Sequence, residues 1–294
     1  KTHYLGSFMF RYLLSFAVIL SSFAAYADDY DKIVTRLQTY AKKPHVSLFT
    51  LGKNDQGKDI VGMIIGDASS AHVKHLVVGT HHGNERAAAD VPFTFADNVI
   101  AQYDANVLFY VIPVLNISGY NVDRREETGS DKDTHDSNRD YEDACDTKHD
   151  FQLKSTTLIA DFIEKENIVS AVSVHGYVGS FTYPWGTFLS NYATLDDNML
   201  AIWAAKAAKL NGYQTGTHGA VVYPAAGAFE DWAYLKHGVW SFLMEIRSPS
   251  SDLKKDGASL YEFFKNSPKE RSTHVGQKVN CVKHILEDSN RSRP

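Results

Sequence analysis

The chain has 294 residues, 44% of them apolar and 12% aromatic, which is enough to bury a large core. Its formal charge of −5 argues against nucleic acid as a partner. With two cysteines, Cys145 and Cys281, the fold is not a disulfide scaffold; one bridge or two thiols both stay open.

In chain order, "MFRYLLSFAVILSSFAAYA" (Met9–Ala27) joins Arg11 to an apolar run, Tyr12–Phe23, and closes on Ala25-Tyr26-Ala27. A basic residue, a short apolar run and a small-x-small end are the parts of a secretory signal. The run is shorter than the roughly 20 residues of a membrane span. Residues 1–27 are therefore expected to be a signal peptide, with 1–8 as an upstream extension, and residues 28–294 one exported domain, periplasmic or secreted, without a stable membrane span. Losing Lys1 and Arg11 takes the charge to −7. No Pro/Gly/Ser-rich tract offers a domain linker, and a monomer is the expected state.

Tyr30–Ala41 has helical spacing, with Ile33, Leu37 and Tyr40 on one side. "VSLFTLGKNDQGKDIVGMIIGD" reads as two strands around an "NDQG" turn, and His75–Val78 as a short strand. Glu85–Gln102 reads as one long helix. "NVLFYVIPVL" (Asn106–Leu115) suits a strand buried on both faces of a largely parallel sheet. The polar stretch 116–149 is too long for a plain connector, and loops of that length tend to carry function. Leu153–Glu166 and Asn198–Leu210 read as helices, and "IVSAVSVHG" and "VWSFLMEIR" as buried strands. The alternation predicts a three-layer α/β/α domain with a central mixed, largely parallel twisted sheet, its site at the strands' carboxyl ends.

Polar groups gather at those ends. "VVGTHHGNERAAAD" puts His82 and Glu85 three residues apart where a strand gives way to a helix, and His175 ends "IVSAVSV". Two close ligands plus a distant third are the pattern of a catalytic zinc site, which keeps a fourth position for water. His81 complicates the reading, because it lies four residues before Glu85 and could pair with it on a helix.

Five segments in order resemble the zinc metallocarboxypeptidases of the carboxypeptidase A/B superfamily: "LGKNDQGKDI", "HGNE", "NISGYNVDRRE" with "DSNRDY", "HGYVGSFTYPWG", and "VYPAAGAFEDWAYLKHGVWSFLMEIR". The blocks span about Tyr30 to Arg247. The resemblance implies a single zinc carboxypeptidase domain with one zinc ion per chain, held by His82, Glu85 and His175. It makes Glu245 the catalytic glutamate, taking a proton from water and passing it to the leaving amine. Arg125, with Arg124 as the alternative, would stabilise the oxyanion. Asn138 and Arg139 would grip the substrate's C-terminal carboxylate, for which a guanidinium fork is suited, and Tyr223 would close over the terminal residue. Glu230 falls at the base of the pocket for the departing side chain, where a carboxylate favours a positive charge.

Two departures stand out. "RREE" lacks the asparagine of the family's R-x-N, and Asn84 stands where pancreatic members carry arginine, which is nearer to bacterial, secreted branches. No activation prodomain fits between Asp28 and the first block. The expected partner is a peptide or muropeptide with a free C-terminal carboxylate. It ends either in Lys or Arg or, in a peptidoglycan stem peptide, in diaminopimelate. An N-acyl amino acid deacylase on the same scaffold need not keep both the Asn138-Arg139 pair and Tyr223. A non-catalytic binding protein would have lost a metal ligand or Glu245. Neither loss is present.

Overall fold

The computed structural model describes residues 29–145, 151–187 and 193–279. The expected signal peptide and Cys281 lie outside the described residues. Cys145 is disulfide-bonded, which excludes a free thiol at that position.

Helix α1 (Asp29–Tyr40) buries Tyr30, Ile33, Leu37 and Tyr40, a stripe at three- and four-residue spacing. Strands β1 (Val46–Lys53) and β2 (Asp59–Ile65) form an antiparallel hairpin. Its turn is closed by Asn54, whose side-chain oxygen accepts from the backbone N–H groups of Gln56 and Lys58. Next come β3 (Val73–Gly79), a 3₁₀ turn over Arg86–Ala89, α2 (Val91–Ala101) and β4 (Val107–Ile112). The expected single helix over Glu85–Gln102 is thus two elements. Pro92 falls in the first turn of α2, where its missing N–H is harmless; in a helix running through from Glu85, its ring would clash with the carbonyl of Ala88. Glu85 consequently stays off the helix.

The 116–149 stretch contains α3 (Ile117–Val122) and the two-residue pair β5 (Glu127–Thr128) and β6 (Thr134–His135). Beyond it lie α4 (Lys154–Lys165), β7 (Ser170–Gly176), β8 (Ser180–Tyr183), α5 (Asp197–Ala208), β9 (Gln214–Thr217) and α6 (His218–Val221). The described chain continues with α7 (Phe229–His237), β10 (Trp240–Ile246) and α8 (Leu253–Lys265).

The main sheet has eight strands in the order β1-β2-β4-β3-β7-β10-β8-β9. Its centre, β4-β3-β7-β10, is parallel, while the joins of β2 to β4 and of β10 to β8 are antiparallel. The central strands are apolar because helices cover them: Leu76, Val77, Val78, Val172, Val174 and Phe242 are all fully buried. Each such side chain contributes about 1.5–3 kcal/mol relative to exposure. Helices α2, α5 and α8 pack together as one layer, and α4 and α7 as another. Among the described residues, no helix is long and apolar enough to cross a membrane.

Register then decides where chemistry can gather. Gly79 pairs with Val174, and His175 pairs with Glu245 on the parallel neighbour. The carboxyl ends of β3, β7 and β10 therefore finish together at the middle of the sheet. Because side chains alternate faces in step on parallel neighbours, His175 and Glu245 project to the same side.

Candidate active site

After β3 the chain turns at Thr80, whose φ of +51° is uncommon for a β-branched residue. Two neighbours hold that turn: Thr80 N–H donates to the Val174 carbonyl, and the Thr80 carbonyl accepts from Asn116 N–H. The turn delivers His81 and His82 directly behind the strand. Gly83 must follow, since a Cβ there would lie 2.1 Å from the Gly119 carbonyl carbon.

His82, Glu85 and His175 come together, with donor atoms all within 4.8 Å of one another and all three residues buried. His82 Nδ1 is 2.8 Å from Glu85 Oε1 and 3.1 Å from His175 Nδ1, and His175 Nδ1 is 2.9 Å from Glu85 Oε2. Donors around a tetrahedral zinc are about 3.3 Å apart, given bonds of roughly 2.0–2.1 Å. The donor atoms share one focus, close enough that they also lie within hydrogen-bond reach of one another. Each histidine is also anchored through its other nitrogen: His82 Nε2 lies 3.0 Å from Asp136 Oδ1, and His175 Nε2 lies 2.8 Å from Ser173 Oγ. Asp136 can only accept, which fixes the His82 tautomer that leaves Nδ1 free for a metal, whereas the Ser173 hydroxyl can donate to or accept from His175 Nε2. The donor set of two imidazoles and one carboxylate fits zinc.

Electrostatics agree with the geometry. Burial opposes charge on His82, but the Asp136 and Glu85 carboxylates outweigh it and hold its pKa above the ordinary value. Burial also opposes charge on Glu85, and the two imidazoles overcome it, keeping the carboxyl well below its usual range. Glu245 is the reverse case. Burial first, and then the neighbouring Glu85, push it up to about 8, and its Oε2 has no hydrogen-bond partner. Arg247, the basic residue nearest to it in sequence, is engaged elsewhere, donating to the Gly212 carbonyl and lying over the Tyr213 ring.

The adjacent arginines separate cleanly. Arg125 borders the metal focus, with Nη1 3.2 Å from His82 Nδ1 and 3.9 Å from Glu85 Oε1, and is held by Asp136 through Nε and Nη2. Arg124, the alternative for the oxyanion, turns instead toward Thr128 and the Glu126 carbonyl. Asn138 is buried, and its side-chain oxygen accepts from Phe229 N–H. Arg139 donates to the Asn138 carbonyl at 2.6 Å and reaches the Tyr223 hydroxyl at 3.4 Å. Tyr223 itself is 41% exposed, the outermost member of the group.

Glu230 is fully buried at the start of α7, and neither of its carboxylate oxygens completes a hydrogen bond. Burial raises its pKa above the ordinary carboxylate value. Among the described residues its ion-pair contact is His218 Nδ1 at 3.9 Å, and burial pushes that imidazole down to about 3, so it is neutral. Asp136 and His218 carry structure here that the sequence reading does not single out. Asp136 sits two residues before Asn138 in "DSNRD", which is the signal that could have marked it.

Residues 33–267 match the sequence profile of the zinc carboxypeptidases, peptidase family M14, and the chain belongs to that family. Human carboxypeptidase B is 31% identical over 169 residues, which is 47% of this chain and 40% of that protein. This chain spans about half or less of the length of the curated relatives it matches first. The fold superposes on bovine thrombin-activatable fibrinolysis inhibitor, solved with a tick carboxypeptidase inhibitor, at a TM-score of 0.66 and 18% identity. That match covers 80% of this chain and 92% of the other. The murein-tripeptide amidase of Escherichia coli O157 superposes at 0.54 with 15% identity, covering 76% and 94%.

Proposed function

We propose that the chain is an exported zinc-dependent carboxypeptidase that removes the C-terminal residue of peptides, with basic residues preferred. The observation that carries the reading is the convergence of His82, Glu85 and His175 on one focus, with Glu245 in register beside His175. When bound there, zinc supplies Lewis acidity, polarising the scissile carbonyl and lowering the pKa of a water molecule.

The chain's own groups do the rest. Arg139 and Asn138 receive the substrate's terminal carboxylate, and Tyr223 closes over it. Without that carboxylate the guanidinium charge is left unmatched, which selects chain ends over mid-chain bonds. Arg125 faces the scissile carbonyl and stabilises the negative charge that develops on its oxygen during attack. Glu245 takes a proton from the attacking water and delivers it to the departing amine. Glu230, buried and without a hydrogen bond, is matched by an ammonium or guanidinium on the departing side chain; a buried carboxylate without such a partner is costly.

A second reading keeps every role and changes the substrate to a peptidoglycan stem peptide. Diaminopimelate also presents an amine to Glu230, and the murein-tripeptide amidase shares the fold. Incubating purified protein with peptides ending in Lys, Phe or diaminopimelate tests both. Lys should be released at least about tenfold faster than Phe. Chelator should stop release and added zinc should restore it. Faster release of diaminopimelate than of Lys selects the second reading, and release from none of the peptides rejects both.

A further inference from the structure

The Ser173 hydroxyl lies between two imidazoles, 2.8 Å from His175 Nε2 and 2.8 Å from His81 Nδ1. Beyond it, His81 Nε2 is 3.0 Å from the Tyr141 hydroxyl. All four residues are buried. His81 does not pair with Glu85; its ring stacks nearly parallel to that of His175, with centroids 5.5 Å apart at 11°. Its backbone is fixed as well, the carbonyl accepting from Asn116 Nδ2 and from Ser137 Oγ.

A serine hydroxyl has one proton and can donate in one direction only. If it donates to His175 Nε2, that imidazole must carry its proton on Nδ1, the atom at the metal focus, and the proton competes with the metal. If it donates to His81 Nδ1, the serine oxygen is left to accept from His175 Nε2–H, and His175 Nδ1 keeps a free lone pair. The outcome therefore depends on an acceptor at His81 Nδ1. That acceptor exists when His81 carries its proton on Nε2, where the Tyr141 oxygen receives it.

From this geometry we infer that His81 is a positioning residue for the metal centre: with Tyr141 behind it, it draws the Ser173 proton away from His175 and sets the tautomer of His175 that binds metal. The inference rests on reading His82, Glu85 and His175 as the metal ligands. Removing a partner of this kind costs metal affinity about 10–100-fold.

The test is zinc affinity of the full chain, measured by competition with a chelator. His81→Phe keeps the ring stack and loses both hydrogen bonds, and should weaken zinc binding at least about tenfold. His81→Asn places an amide oxygen near the position of Nδ1 and should recover most of that loss, whereas a loss caused by packing would not recover. Tyr141→Phe removes one hydroxyl, supplies a second variant should His81→Phe fail to fold, and should weaken binding at least about threefold. Nitrogen NMR of the zinc-loaded protein should find the His81 proton on Nε2. Equal zinc affinity in His81→Phe and the unaltered chain, equal loss in His81→Phe and His81→Asn, or a His81 proton on Nδ1 overturns the inference alone. An unaltered chain that holds no zinc overturns the metal reading and this inference with it.

Discussion

Glu245→Gln should abolish turnover while leaving zinc in place. Glutamine has nearly the shape of glutamate and keeps the side chain in register with His175, but it cannot take a proton from water at neutral pH. General acid–base catalysis contributes about 10²–10⁴ in rate, so kcat should fall by about three orders of magnitude. KM and zinc content should stay within a few-fold, because Glu245 is not among the three residues grouped to hold a metal. The substitution should not unfold the protein. Glu245 is buried, and its Oε2 lacks a hydrogen bond, so a neutral amide is no harder to accommodate than the carboxyl. Steady-state kinetics on a C-terminal Lys peptide, with metal analysis of the same sample, check this. A variant retaining more than a tenth of the kcat removes Glu245 from the chemistry, and a variant that loses its zinc points to a role in holding the metal.

Glu230→Ile should exchange the substrate preference. The carboxylate has no hydrogen bond of its own, and its close ionisable neighbour, His218, is neutral. A cationic side chain entering the pocket becomes its partner. Deleting one member of a buried charge pair costs about 3–5 kcal/mol, because the other is left uncompensated. Release of Lys should therefore drop by about two to four orders of magnitude in kcat/KM. Release of Phe or Leu should hold steady or rise, since an apolar side chain no longer meets a buried acid. The protein should also gain stability by losing a buried carboxyl, visible as a higher melting temperature. Unchanged Lys-to-Phe selectivity would place the specificity determinant elsewhere.

The candidate ligands His82 and His175 and the candidate proton acceptor Glu245 are legible in the sequence because each lies at or just past the end of an apolar strand, and Glu85 because it completes H-x-x-E with His82. His82 follows "HLVV", His175 closes "IVSAVSV", and Glu245 nears the end of "VWSFLMEIR", so burial and polarity collide at three recognisable points. The supporting shell was not legible. His81, Ser173 and Tyr141 are separated by 92 and 60 residues along the chain, and only the parallel pairing of β3 with β7 brings the first two together. The choice between Arg124 and Arg125 was open for a similar reason: neighbours in sequence leave a turn in different directions, and Asp136 holds just one of them. Among the elements, β8, β9 and α6 have four residues each, too short to establish a period. Helix α7 buries seven of its nine residues, Glu230 and Asp231 among them, and so offers no polar face. The buried face of α8 includes Asp256, Gly257 and Ser259, which disguises its stripe. The helix that was drawn too long, Glu85–Gln102, carried its correction in Pro92.

Whether a metal sits at that focus is read most directly by anomalous X-ray scattering at the zinc absorption edge, from crystals of active protein. One strong peak is expected, about 2.0–2.2 Å from His82 Nδ1, His175 Nδ1 and a Glu85 carboxylate oxygen. Active protein with no peak at that point, or with its zinc bound elsewhere, would contradict the metal reading.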